Sequence, residues 1–300
     1  MNRLAVFAMH FAVAASVAAQ TPAPARPRIL GVDHVAFYTT EPEGVKKLYG
    51  EVLGLASAAP VEAGGTLRYF VGKQWVGFSA APDPKLNDRM DHVAFGTDNI
   101  VALRRYLVAN GVKAPAVQGG ADHSLSLMIT DPDGHRVEFI ERGRAEAPAV
   151  PDTAVSHHMI HAGFIVHNRE GEDHFYLEIL GFLPYWHGGM KDDVTDWNAI
   201  QVPDGTDWLE YMLNQPAQPN LHTAGVMNHI SLGVADMKKA QAVLESHRWK
   251  PHGDEQAKIG KDGKWQLNLY DPDLTRVELM EFKPVEKPCC SEFTGPHPSE

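Results

Sequence analysis

Cysteine is nearly absent: the chain has 2 in 300 residues, and they are neighbours, Cys289 and Cys290, near the C-terminus. A thiolate zinc finger needs spaced pairs and a disulfide-stapled core needs several, so both are excluded. Positive charge is scarce as well. Lys and Arg number 27 against 38 Asp and Glu, a formal charge of -11, and a surface of that sign repels phosphate backbones. No nucleic-acid partner is expected. An uninterrupted apolar run of the ~20 residues that a bilayer-spanning helix requires is also missing.

The nearest approach to such a run is residues 1–19, MNRLAVFAMHFAVAASVAA, which carry one Arg, are interrupted by His10 and end in small residues, Val17-Ala18-Ala19. That is the pattern of a cleaved export signal, so a periplasmic or secreted protein with its mature start near Gln20 is expected. No Cys stands at the cleavage point to take a lipid, so no stable membrane anchor is expected. Residues 20–29, rich in Pro and Ala, read as a spacer.

The chain as a whole has 44% hydrophobic residues, enough to build cores, and a length that suggests two domains. It also repeats. Asp33-His34-Val35-Ala36-Phe37 recurs unchanged as Asp91-His92-Val93-Ala94-Phe95, and in weaker form as Ile160-His161-Ala162-Gly163-Phe164 and Asn228-His229-Ile230-Ser231-Leu232. KLYGEVLGL matches HFYLEILGF, and DPDGHRVEFIE (131–141) matches DPDLTRVELME (271–281), so the second half duplicates the first. Each copy reads as strand, helix, then further strands. Thr40 with Glu43 forms a capping box, and Asp98, Asn168 and Asp236 are N-cap candidates. Asn110-Gly111 is a helix stop, and the Asp-Pro-Asp segments are turns.

The expected fold is therefore α+β: four βαβββ modules paired into two domains. Domain 1 spans 30–142, a linker 143–157, domain 2 158–284, and residues 285–300 form a flexible tail.

Side chains alternate across a strand. In the four His strands, Val35/Phe37, Val93/Phe95, Ala162/Phe164 and Ile230/Leu232 share an apolar face expected to pack under helices. The opposite face carries the His and, two residues later, Ala36, Ala94, Gly163 or Ser231, which leaves a concave surface with room for a ligand. On the closing strands Glu138, Glu210 and Glu278 point away from their apolar neighbours, while the first module offers Gly77 instead. Imidazoles and carboxylates converging in a groove suit a divalent Zn, Ni, Co, Mn or Fe ion. The alternative for the first half is a decayed copy kept for packing. Trp186, Trp197 and Trp208 are candidates to line the second cleft or to pack module three, and segment 187–197 is a candidate lid. His157, His158 and His187 read as surface or pocket-edge residues.

These residues resemble the vicinal oxygen chelate superfamily, which includes glyoxalase I, extradiol dioxygenases and bleomycin-binding proteins. The resemblance covers about residues 28–284. It implies paired modules curved into partly open barrels with helices outside, around a divalent metal held by His161, Glu210, His229 and Glu278. His34, His92 and Glu138 would make a second, three-ligand set. The second half is most similar to glyoxalase I, which implies a metal-dependent lyase or isomerase. There the metal holds adjacent substrate oxygens and a carboxylate, Glu210 or Glu278, removes a proton beside a carbonyl. No basic cluster for a glutathione carboxylate is evident. The second reading is an Fe(II) ring-cleaving dioxygenase. Against it, Asn268 and Met128 stand where those enzymes carry an acid-base Tyr, with Tyr270 two residues late. The third is a non-catalytic small-molecule binding protein. In glyoxalase I modules are exchanged between chains, so His161/Glu210 could instead pair with His92/Glu138 in a homodimer.

Overall fold

Alternation along the four His strands decides the layering. The computed structural model describes residues 24–58, 65–120, 122–143, 148–253 and 255–300. The expected export signal (1–19) and the start of the spacer (20–23) lie outside the described residues. The first module is β1 (Ile29–Thr39), α1 (Pro42–Val45) running on into a π-helical turn (Lys46–Val52), β2 (Ala56–Ala58), β3 (Leu67–Val71) and β4 (Gln74–Ala80). The second is β5 (Met90–Thr97), α2 (Ile100–Ala109), β6 (Gln118–Gly119), β7 (Leu125–Thr130) and β8 (Arg136–Glu141). The third is β9 (His158–Ile165), α3 (Arg169–Asp173) with its own π-helical turn (His174–Ile179), β10 (Leu183–Gly188), β11 (Trp197–Gln201) and β12 (Trp208–Met212). After α4 (Leu221–Met227) comes the fourth: β13 (His229–Val234), α5 (Met237–Ser246), β14 (Lys258–Ile259), β15 (Trp265–Tyr270) and β16 (Arg276–Glu281).

Two 8-stranded mixed sheets result, ordered β2-β3-β4-β1-β5-β8-β7-β6 and β10-β11-β12-β9-β13-β16-β15-β14. In each, the two His strands run antiparallel at the centre, flanked by parallel closing strands: β1 pairs with β5, and β9 with β13. Modules one and two therefore share one sheet and modules three and four the other. Within the chain His161 and Glu210 therefore meet His229 and Glu278 rather than His92 and Glu138. The order leaves β2 and β6, and β10 and β14, as sheet edges, so neither sheet closes on itself.

Val35, Phe37, Val93, Phe95, Ala162, Phe164, Ile230 and Leu232 are all buried, together with the helix residues Ile100, Leu103, Leu107, Met237, Ala240 and Leu244. The two domains share this core. Phe95 meets Phe182 edge-on at 5.3 Å, and the Tyr106 hydroxyl donates to the Ile179 carbonyl. The helices lie outside each sheet but between the two sheets, leaving the His faces on the far sides.

Local chemistry explains the helix ends, with two differences from expectation. Asn168 and Asp236 cap as expected, accepting from Gly171 and Lys239 backbone N–H groups. The cap of α2 is Asn99 rather than Asp98, which instead accepts from the Arg28 backbone. The Thr40–Glu43 box does not form. Both Thr39 and Thr40 donate their hydroxyls to Asp273, at 2.6 Å each, so a turn of the other domain takes over that helix start.

Candidate metal centres

Each Asp-His pair on the first sheet is a small device. His34 Nδ1–H donates to Asp33 Oδ1 and His92 Nδ1–H to Asp91 Oδ2, both at 2.8 Å. Proton occupancy of Nδ1 leaves both Nε2 lone pairs pointing inward. They face one another at 3.1 Å, with Glu138 Oε2 at 3.0 Å from His34 and 3.4 Å from His92. Asp33 is held in turn by Arg142, and Asp91 by Arg136 and the Tyr38 hydroxyl. Burial alone would raise Glu138, but the neighbouring His34 and His92 side chains outweigh it and hold the carboxyl well below its usual range. Where a fourth ligand would stand, Gly77 leaves room for the Trp75 ring, which stacks on His34 at 3.7 Å.

The second sheet repeats the arrangement with four groups. His161 and His229 present Nε2 to Nε2 at 3.1 Å. Glu278 Oε2 is 3.5 Å from His161, and Glu210 Oε2 is 3.5 Å from His229 and 3.8 Å from His161. His229 Nδ1–H donates to the Met227 carbonyl, whereas His161 Nδ1 is buried without a partner. The small residue two places after the His has the expected use: a side chain at Gly163 would meet the His229 ring at 2.2 Å. Burial pushes both imidazoles well below their usual range, so both are neutral, the form that ligates metal. Glu210 is pushed up to about 8, by burial first and then by the charge of Glu278; burial raises Glu278 as well.

All seven candidate residues thus fall into two groups, one per sheet. Both donor sets fit a divalent cation. Facing imidazole nitrogens 3.1 Å apart with carboxylate oxygens beside them must share either a proton or a cation. His34, His92 and Glu138 would hold one ion; His161, His229 and Glu278, joined by Glu210, would hold the other.

The second centre opens into a tryptophan-walled pocket. Trp186, Trp197, Trp208 and Phe293 line it with Glu210, Glu278 and Arg276. Lys264 lies behind the aromatic wall. Its Nζ is fully buried without a hydrogen-bond partner, 4.5 Å from the Trp208 ring and 4.9 Å from Phe293. Burial pushes this ammonium down to about 8 against the pull of Asp262. Of the candidate lid, 187–197, Trp197 lines the pocket, and Phe293 of the C-terminal residues joins it. Cys289 N–H donates to Lys261, Trp186 Nε1–H to Cys289, and the Tyr185 hydroxyl bonds His297 Nδ1. The tail expected to be flexible is laid across domain 2, and its two cysteines are joined to each other by a disulfide. His158 bonds Asp207, and His187 sits at the surface bonded through its backbone to Ser291.

A family model described as "Glyoxalase/Bleomycin resistance protein/Dioxygenase superfamily" matches residues 31–139 and 158–279. The chain belongs to that superfamily. Among solved structures, the superfamily fold is shared with the 2,3-dioxygenase LapB from Pseudomonas sp. KL28, at TM-score 0.64 and 16% identity over 92% of this chain and 96% of that one. A homoprotocatechuate 2,3-dioxygenase from Brevibacterium fuscum, complexed with 3,4-dihydroxyphenylacetate, matches at TM-score 0.62 and 16% identity, covering 93% and 85%. The Mn(II)-bound glyoxalase from Novosphingobium aromaticivorans matches at TM-score 0.62 and 17% identity, covering 85% and 83%. No curated protein matches by sequence. Within the superfamily fold, the position facing Glu278 on the neighbouring strand is Asn268, and the one facing Glu138 is Met128.

Five contributors escaped the sequence reading. Asp33 and Asp91 stood in the repeated Asp-His pair, and that repetition was the available signal. Trp75, Lys264 and Phe293 carry none, because their roles arise from distant packing.

Proposed function

We propose that domain 2 is a metal-dependent lyase or isomerase of the glyoxalase kind, acting on a small, anionic, oxygenated substrate by proton abstraction. The observation that carries this reading is Glu210. It is a carboxylate that lines the pocket 3.5 Å from His229, and burial strengthens its hold on a proton in the metal-free site. A divalent cation held by His161, His229 and Glu278 would polarise a substrate carbonyl and so acidify the neighbouring C–H. Glu210, lining the same pocket, takes that proton and returns it at the adjacent carbon. The Trp wall excludes water and stacks a planar substrate, while Arg276 supplies a cationic contact for a carboxylate. Glu278, kept 3.8 Å from an Arg276 nitrogen, is better placed as ligand than as base.

The test is exchange of the α-proton of small α-hydroxycarbonyl acids in D2O, followed by NMR on the metal-loaded protein. Exchange is expected in the wild type, with a fall of ~10²-fold or more in Glu210→Gln while most of the metal is retained. Undiminished exchange in that variant would refute the assignment. Ring cleavage is the second reading, supported by the complete His34/His92/Glu138 set in the other domain, which matches a two-His, one-carboxylate iron site. Oxygen uptake with a catechol would establish it in place of the first. The reading includes export from residues 1–19: N-terminal sequencing of the mature protein is expected to start near Gln20, and a start at Met1 would remove that element.

A further inference from the structure

The junction between the domains is built twice, by the same residues at corresponding places. On one side the turn 131–133 docks on the start of α3: Asp133 accepts from the Asn168 backbone at 3.1 Å, and Pro132 lies against Gly171. On the other side the turn 271–273 docks on the start of α1: Asp273 accepts from the Thr40 backbone at 2.9 Å, and Pro272 lies against Gly44. The buried Tyr176 and Tyr49 also correspond. Among the positions that differ, Glu172 and His135 stand at the first junction where Val45 and Thr275 stand at the second. The second junction docks without an acid and an imidazole there, its Asp273 being held by Thr39, Thr40 and Arg89.

What they form is a cluster. Asp131, His135 and Glu172 each offer one ligand atom, all within 4.8 Å of one another. His135 Nδ1 is 2.9 Å from Asp131 Oδ2, and the Tyr176 hydroxyl donates to the same oxygen at 3.3 Å. Glu172 is fully buried. One of its oxygens accepts from the Asp133 backbone at 2.8 Å, while Oε2 accepts from no donor. Two buried carboxyl groups side by side need either a shared proton or a cation between them. Access exists from one side. The His135 ring stacks on Phe164 at 4.0 Å and borders a cleft shared with Tyr38, Asp91 and His92.

We propose that Asp131, His135 and Glu172 form a third divalent-cation site, separate from both His-pair centres, which clamps the two domains together. One imidazole nitrogen and two carboxylates suit a borderline ion such as Zn(II). The proposal does not depend on which reaction domain 2 carries out.

The experiment uses the full chain, stripped with a chelator and re-equilibrated with Zn(II), with bound zinc counted by elemental analysis and calorimetric titration. Glu172→Val and His135→Thr copy the second junction and are therefore expected to fold. The wild type should hold one zinc equivalent more than either variant, and zinc should raise its unfolding midpoint further. Equal stoichiometry and an equal zinc-dependent shift in all three proteins would overturn the proposal. Zinc anomalous scattering from wild-type crystals needs no variant. A peak among the three side chains is expected, and peaks confined to the His-pair centres would overturn it.

Discussion

A single proton on each histidine decides what the two centres can do. With Nδ1 protonated and engaged by Asp33 or Asp91, the first pair keeps its Nε2 atoms as acceptors. Outer partners of this kind are commonly worth 10- to 100-fold in metal affinity. Asp91→Asn is therefore expected to weaken metal binding in domain 1 by about that factor, measured by competition with a chromophoric chelator, and to leave domain 2 unchanged. Glu210 gives the second centre a different pH response. Between the ordinary carboxyl value of 4.5 and about 8, an unfolded chain carries it ionised while the folded, metal-free protein keeps the proton. The native state then binds more protons than the unfolded one, so metal-free stability falls as pH rises across that window. Recruiting Glu210 to a cation releases the proton, so metal affinity of domain 2 should increase with pH up to about 8. Calorimetric titrations in buffers of different ionisation enthalpy would report that release at pH 7, and the absence of any would contradict the stated ionisation. In domain 1 Glu138 is already ionised, so no carboxyl proton should leave.

At the scale of elements, strand alternation places the histidines, and the small residues that follow them keep the hollow open. Gly163 is the sharpest case, because an added Cβ would fall within 2.2 Å of the His229 ring. Gly163→Ala should therefore displace that imidazole and abolish metal binding in domain 2, while the far-ultraviolet dichroism stays that of the wild type. Retention of a full complement of metal would show that the ring has another place to sit. Most of this was readable in advance. Repeated His strands, period-2 burial and the Asp-Pro-Asp turns led to both sheets and brought the seven candidate ligands together in two sets. Features made by distant segments were not readable. Thr40 looked like the first half of a capping box because nothing local reveals that Asp273 would arrive from the other domain to take its hydroxyl. Nothing local marks Lys264 either, because the ring of Phe293 reaches it from the distant tail.

For the whole molecule, the decisive feature is that the helix layers of the two sheets bury one another. Phe95 and Phe182 belong to different domains yet share one core. Removing such a ring costs about 3–5 kcal/mol. Phe182→Ala should lower stability by that order and do so through one unfolding transition seen by calorimetry; two transitions would mean that the domains melt apart. A single rigid body also explains how two similar centres can differ in use. Both His faces look away from the shared core, but only the second is walled by three tryptophans and crossed by the C-terminal residues.

Diffraction from crystals grown with Mn(II), recorded near the manganese edge, bears most directly on the second centre. An anomalous peak about 2.0–2.3 Å from His161 Nε2, His229 Nε2 and a Glu278 oxygen is the expected result. A map with no peak between those two imidazoles, their rings still facing one another across a hydrogen bond, would contradict the metal-dependent chemistry proposed for domain 2.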